Sequence, residues 1–182
     1  SVRLQSRRRA SQTDAALGYQ GKRFGWPNLY TPFGSPESEN LQTLLLALNH
    51  RVDLGGDNGW EAAIAHRRNK DDYAFNRFAP LGPVHPFQHT TWLTAGAAEV
   101  RWRRADWSFL ARAEAQTDRI KSTSLTFGRY RSGVLTKAAV AAGREWVADD
   151  GGGWLRLGVA HDDSNRDGGA WLPVAEMGRD FS

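Results

Sequence analysis

The chain has no cysteine among its 182 residues, which excludes disulfide scaffolds, thiol nucleophiles and thiolate metal sites and is compatible with export through an oxidising periplasm. It also lacks any apolar run approaching the ~18 residues of a transmembrane helix, so a helical membrane protein is excluded. Charge of one sign is scarce: 24 Lys and Arg against 20 Asp and Glu leave a net charge of +4. Arg7, Arg8 and Arg9 form the one run of three arginines, and without a basic patch no nucleic-acid partner is expected. A mean hydropathy of −0.58 does not exclude a membrane β-barrel, whose strands alternate apolar and polar residues and whose long loops are polar.

Catalytic constellations are missing as well. Asp71 with Asp72, Asp149 with Asp150, and Asp162 with Asp163 are adjacent pairs, which on a strand point to opposite faces and cannot share acid and base work. Among five histidines, His85 and His89 are the close pair, and no third ligand stands near them to complete a zinc site. The glycine-rich runs GGDNG and DDGGG sit in hairpins rather than between a strand and a helix, so they do not read as phosphate loops. No enzyme activity, metal or cofactor is expected. The chain starts at Ser1 and stops at Ser182 within an extended segment, and reads as a piece of a longer protein.

What the chain does have is eight tryptophans, five of them within three residues of a short polar turn. Trp60 follows GGDNG, Trp102 and Trp107 flank RRAD, and Trp146 and Trp154 flank ADDGGG. Amphipathic indoles concentrate where hydrocarbon meets water, so tryptophans recurring at one end of successive hairpins mark an interface. With Trp92, these residues form a candidate membrane-interface girdle. The connections alternate short and long. Extended segments run over roughly Val2 to Tyr19, Leu41 to Leu54, Trp60 to Phe75, Thr91 to Arg103, Trp107 to Thr123, Val134 to Trp146 and Trp154 to His161, with a partial strand after Ala170. The long loops are GYQGKRFGWPNLYTPFGSPESEN, NRFAPLGPVHPFQH and SLTFGRYRS, followed by DDSNRDGG. Short turns on one side and long loops on the other are the asymmetry of outer-membrane barrels.

Side-chain alternation supports strands. From Thr91, one face reads Trp92, Thr94, Gly96, Ala98, Val100, Trp102, while Glu99, Arg101 and Arg103 occupy the other. Ten residues between tryptophans, at ~3.4 Å each and a tilt of ~40°, span on the order of 26 Å, the height of a barrel's apolar band. In the following segment Trp107, Phe109, Ala111, Ala113, Ala115 and Thr117 oppose Ser108, Leu110, Arg112, Glu114, Gln116 and Asp118. AAEVRWRR and ARAEAQ are rich in helix formers, but a helix would smear these charges around its cylinder. Two segments fit less well. His66 and Arg68 end the apolar face after Trp60, Ala62 and Ile64 early unless a bulge shifts the register, and Arg144 shares a face with Val140 and Trp146. The fold expected is all-β, an antiparallel meander forming part of a transmembrane β-barrel, with about 7 to 8 strands of a larger barrel. Alternatives from other classes are a porin-type channel and a soluble glycan-binding β-sandwich.

The segments GYQGKRFGWPNLYTPF, ENLQTLLLALNHRVDLGG, RRNKDDYAFNR, PFQHTTW, STSLTFGRYRS and HDDSNRD, in this order, resemble the barrel of TonB-dependent outer-membrane receptors, closest to the cobalamin-receptor-like members. FGWPNLYTP ahead of the acidic-Asn-Leu-Gln-Thr pattern is the most specific part. The resemblance implies that residues 1–182 are a fragment of a barrel of 22 strands, that a plug domain and a TonB-contacting segment lie outside this chain, and that the whole imports a scarce ligand, a corrinoid or an iron-siderophore chelate. It implies the outer membrane of a Gram-negative bacterium as location, with the lipid bilayer, the plug domain, the TonB complex and the small-molecule ligand as partners. Ligand contacts would then come from Trp26, Asn28, Tyr30, Phe87, His89, Phe127, Arg129 and Tyr130 in the long loops, and Arg101, Arg112, Glu114 and Asp118 would line the lumen and face the plug.

Overall fold

A computed structural model describes residues 1–32, 34–78, 87–125, 131–148 and 151–179. Nine strands follow one another: β1 (Val2–Arg8), β2 (Ser11–Phe24), β3 (Ser38–Gly55), β4 (Asn58–Ala74), β5 (Phe87–Arg104), β6 (Trp107–Ser122), β7 (Ser132–Ala148), β8 (Gly151–Ser164) and β9 (Gly168–Arg179). Each pairs antiparallel with its sequence neighbour in a single sheet of order β1 to β9. The protein is therefore all-β, an open antiparallel meander, and no helix occurs among the described residues. Among the described residues there is one sheet and no second layer of a β-sandwich. AAEVRWRR and ARAEAQ lie in β5 and β6, paired on both sides, so ladder hydrogen bonds and the period-2 polarity prevail over helix propensity.

The extended segment expected over Val2 to Tyr19 is two strands, which raises the count to nine. The chain reverses at Arg9 and Ala10, with Arg9 in the left-handed region at φ 37°. That turn carries none of the Gly, Asn or Asp residues that announce a two-residue hairpin. The other short turns at the same end show positive φ as well, at Gly55, Gly56, Asp57 and Ala105. At the opposite end, residues 25–37, 75–86 and 123–131 form the longer connections, but β8 and β9 are joined by residues 165–167 alone. The long-short alternation thus fails at the last hairpin, where Ser164 Oγ caps the amides of Arg166 and Asp167 and tightens the turn.

The register makes polarity two-sided. Val2 and Leu4, Leu17, Leu46 and Leu48, Trp60 and Ile64, Val100, Phe109, Ala113, Val140, Leu157 and Val159 share one face across neighbouring strands. The other carries Gln5, Asp14, Asn49, Glu61, Glu99, Arg112, Glu114, Lys137, Asp162 and Glu176 on paired positions. β4 keeps its register without a bulge: the one irregularity in its pairing with β3 lies at Asp53 to Gly55. His66 and Arg68 therefore remain on the apolar face, His66 Nδ1 hydrogen-bonded to Thr94 Oγ1 at 2.9 Å. Among the described residues no hydrophobic side chain is buried, and the large ones on the apolar face stand exposed. The polar face is concave, since residues of β1 through β7, from Arg3 and Gln5 to Leu135 and Lys137, line one cavity of about 770 Å³.

Ala105 holds φ 51° without the freedom of glycine, a conformation that costs an L-residue roughly 1–2 kcal/mol. Ala105→Gly is expected to stabilise the full-length protein by about 0.5–1 kcal/mol, read as a shift in the urea midpoint at unchanged slope.

Candidate functional site

The long-loop end of the concave face gathers Ser35, Glu37 and Glu39, the buried polar groups among the described residues. Residues 25–37 fold back on themselves through a bridge between Pro27 and Pro36. Asn28 sits at φ 60°, and its Oδ1 accepts from the Gly34 amide at 2.5 Å, which identifies it as the turn residue of this loop. Glu37 then closes the loop from its base. It is 0% exposed and accepts from the Tyr30 amide at 2.6 Å, the Thr31 amide at 3.1 Å and the Thr31 hydroxyl. Tyr30 donates its hydroxyl to Glu39 at 2.5 Å and meets the Tyr73 ring edge-on at 5.4 Å. Tyr73 continues to Phe87 at 6.0 Å between centroids. Arg77 ties the neighbouring connection to the same base, its amide donating to the Pro36 carbonyl and its guanidinium to that of Gly25.

Of the loop residues expected to contact ligand, Tyr30 and Phe87 belong to this one cluster. His89 lies across the strand pair from Asp71 and bonds Ser122 Oγ at 2.6 Å. Trp26 stands apart on Phe24, 6.0 Å between centroids, and Asn28 serves the turn. Phe127, Arg129 and Tyr130 lie outside the described residues. Trp26, Tyr30 and Phe87 are 57%, 62% and 44% exposed, so their ring faces are free for contact while the backbone beneath them is clasped. Glu37, Glu39 and Tyr73 were not singled out from sequence. Their signal was the period-2 spacing of Glu37 and Glu39 straight after Pro36, where the strand begins. The carboxylates of Glu37 and Glu39 are occupied by loop donors, and both clasp the loop to the strand end.

Charge sets the clasp's pH range. Burial pushes the Glu37 carboxyl upward, but the Thr31 hydroxyl and the Tyr30 and Thr31 amides outweigh it and hold the group below its ordinary value of 4.5. The Tyr30 hydroxyl, bonded to Glu39 and partly desolvated, is pushed from 10.0 up to about 12.

Down the concave face runs a ladder of ion pairs. Glu99 meets Arg101 at 3.5 Å and Arg112 at 3.9 Å, and Arg112 also reaches Glu114. Arg103 bridges Asp57 and Glu145, Lys137 pairs with Asp162 at 2.9 Å, Arg156 with Glu176 at 3.1 Å, and Asp118 with Arg166 at 3.0 Å. The four residues expected to line a lumen, Arg101, Arg112, Glu114 and Asp118, all take part. Each pair is open to water and worth roughly 0–1 kcal/mol, so the ladder offers charge to a partner more than it stabilises the sheet.

On the apolar face Trp60, Trp102, Trp107 and Trp146 occupy four successive strands at the short-turn end, each two residues lower in register than the last. Trp92 and Trp171 lie toward the other end. Trp171 drops six residues of register relative to Trp92 over four strands. At ~3.4 Å per residue and ~4.8 Å between strands, such a row is level when strands tilt by roughly 45°. Trp154 departs from this set. It pairs with Glu145 on the concave face, beneath Arg156 at 5.7 Å, because the glycines that precede it put Gly153 rather than the indole opposite Trp146. Arg144 lies one step inside the turn-end row, its guanidinium 5.8 Å from the Trp107 ring, where it can reach the rim. No protein-family model matches the chain, and no curated protein does either.

As pH falls below 4.5 the unfolded chain takes up the Glu37 proton that the fold disfavours, and above pH 10 it loses the Tyr30 proton that the fold retains up to about 12. The clasp's contribution is therefore whole between those limits, fading as pH falls through the acid range or rises from 10 toward 12. Fluorine NMR of a fluorotryptophan at position 26 is expected to report one loop state near neutrality and broadened signals at both extremes. Glu37→Gln is expected to remove the acid-side change.

Proposed function

We propose that this chain is part of the wall of an outer-membrane β-barrel and, within that class, of a TonB-dependent receptor that imports a scarce ligand such as a corrinoid or an iron-siderophore chelate. The observation that carries the proposal is the polarity split of the sheet: a face of Leu, Val, Ile, Ala and Trp without charge in its central band, backed by a concave face of ion pairs. In water, the large hydrophobic residues exposed on the apolar face, such as Leu48, Ile64, Val100, Phe109 and Val140, would drive aggregation. In a bilayer they are the lipid contact, and strands β2 to β8 are paired on both sides, as hydrocarbon requires. The two oblique rows of aromatics fit the two interfaces of such a wall.

The receptor assignment rests on the sequence resemblance and draws support from two features. β1 and β9 leave the sheet open, which suits a barrel wider than nine strands. The ladder around Glu99, Arg112 and Lys137 offers alternating charges to a plug domain, and the clasped aromatic loop suits capture of a ligand at the outer surface. The proposed ligand contacts are the exposed rings of Trp26, Tyr30 and Phe87.

Expression of the full-length protein in a Gram-negative host is expected to give outer-membrane recovery and a gel mobility that shifts on boiling. Uptake of a corrinoid or ferric siderophore should vanish when the TonB complex is deleted. Uptake that persists without that complex would favour the porin-type channel, and a soluble, unshifted protein would reject the barrel. Position also discriminates. Ala113 lies midway between Trp107 and Arg119 on the apolar face, so Ala113→Arg should destabilise folding into vesicles by roughly 2–4 kcal/mol. Ala97→Arg, beside Glu114 on the concave face, should change it by less than about 0.5 kcal/mol.

A further inference from the structure

The arginines at the short-turn end are paired unequally. Arg101 meets Glu99, and Arg103 meets Asp57 and Glu145. Arg7, Arg9 and Arg51 have no ion-pair partner among the described residues, and Arg51 donates to the neutral Gln12 at 3.1 Å. These three line a cleft of about 650 Å³ between the β1–β2 and β3–β4 turns. The register sets Arg7, Gln12 and Arg51 side by side on the concave face, so Arg7 and Arg51 stand about 10 Å apart across β2. Asp53 follows Arg51 about 7 Å along β3, its Oδ1 accepting from the Gly55 amide at 2.8 Å. Its own amide donates to the Ala10 carbonyl at 2.7 Å and ties the two turns together. Asp57 also lines the cleft. Arg9 is the unexpected member, held at φ 37° in a turn where glycine would be unstrained. Backbone strain of this kind concentrates at ligand clamps, where the side chain is in use.

Position narrows the occupant. Arg8, Ser11, Val52 and Trp60 share one register row. With strands tilted by roughly 45°, that row drops on the order of 10 Å from Trp60 to Arg8, past the level of the indoles. The Arg7 and Arg9 side of the cleft therefore lies beyond the interface on the side of the short turns, and a lipid headgroup would have to leave its leaflet to enter. A purely acidic ligand would meet Asp53 and Asp57, and a purely basic one would meet the arginines. The charge pattern suits a ligand that carries both signs close together. We propose that this cleft binds the zwitterionic peptide stems of the cell-wall polymer, their carboxylates on the guanidinium groups of Arg7, Arg9 and Arg51 and a free amine on Asp53. This rests on the reading of the indole row as the periplasmic interface of a barrel wall. Arginine forks take carboxylates through paired, charge-assisted hydrogen bonds.

The test is calorimetric titration of detergent-solubilised full-length protein with four probes: a soluble muropeptide whose stem ends in diaminopimelate, the same muropeptide amidated at its carboxylates, the same acetylated on its amine, and oligoglutamate. Amidation and acetylation are each expected to weaken binding about tenfold or more, the loss of at least one charge-assisted hydrogen bond, and oligoglutamate is expected to bind at least about tenfold more weakly than the unmodified muropeptide. Arg9→Gly relieves the turn while removing the guanidinium, so it should fold at least as well and still lose about tenfold in affinity. Arg7→Gln with Arg51→Gln should lose about tenfold or more, whereas Arg119→Gln, at the other end of the apolar face, should retain full affinity. Equal binding of either modified muropeptide, tighter binding of oligoglutamate as an acidic protein partner would give, or unchanged affinity in Arg9→Gly overturns the proposal. Heat-modifiable mobility reports the barrel separately. A protein that shifts on boiling yet binds no muropeptide rejects this inference and leaves the barrel standing, while one that does not shift rejects the barrel and with it the periplasmic placing of the cleft.

Discussion

The alternation of side chains across a hydrogen-bonded strand is the constraint on which the rest of this structure depends. With a period of two and neighbours in register, every choice of residue is a choice of face, and a slip of one position would carry Glu99, Arg112 and Lys137 into the company of Val100, Phe109 and Val140. Eight consecutive antiparallel pairings hold that register. The outcome is a sheet that satisfies its backbone internally and sorts its side chains by solvent. Its apolar surface is not enclosed by a second layer, so its stability depends on what lies against that surface.

The same register organises both ends of the strands. At the short turns it sets the indoles of Trp60, Trp102, Trp107 and Trp146 stepwise along an oblique line, because each strand is offset from the last. At the long-loop end it brings Glu39 opposite Tyr73 and Asp71 opposite His89, and so builds the base on which residues 25–37 are clasped. An exposed aromatic surface is useful for recognition when the backbone beneath it is ordered, since less freedom is then lost on binding. Glu37 supplies that order by accepting three donors from two adjacent residues. In the proposed receptor, recognition and membrane anchoring are thus different consequences of one pairing scheme.

Much of this was legible in the sequence. The strands from Trp107 and Thr91 were readable residue by residue, since their polar and apolar positions alternate with little exception and their turns sit beside tryptophan. The hairpin at Arg9 was hidden because arginine adopts the left-handed turn without the usual glycine or asparagine. The face of Trp154 was misjudged from its place beside a turn, which fixes closeness to the rim but not parity along the strand. Parity depends on how many glycines the turn absorbs. The buried cluster was legible only in part. Tyr30, Phe87 and His89 were singled out as loop aromatics and donors. Of their partners, Glu39, Asp71 and Tyr73 come from β3 and β4 through pairing that a linear reading does not display, and Glu37 stands just ahead of β3.

The central claim is that one face of this sheet meets lipid and the other meets water. Because the chain has no cysteine of its own, single cysteines introduced one at a time from position 107 to 118 of the full-length protein, each carrying a nitroxide in lipid vesicles, test it most directly. Collision rates with oxygen should peak at odd positions and those with a water-soluble nickel chelate at even positions, a strict period of two. Equal access of the nickel chelate to both sets, or an oxygen profile with a helical period, would contradict the account.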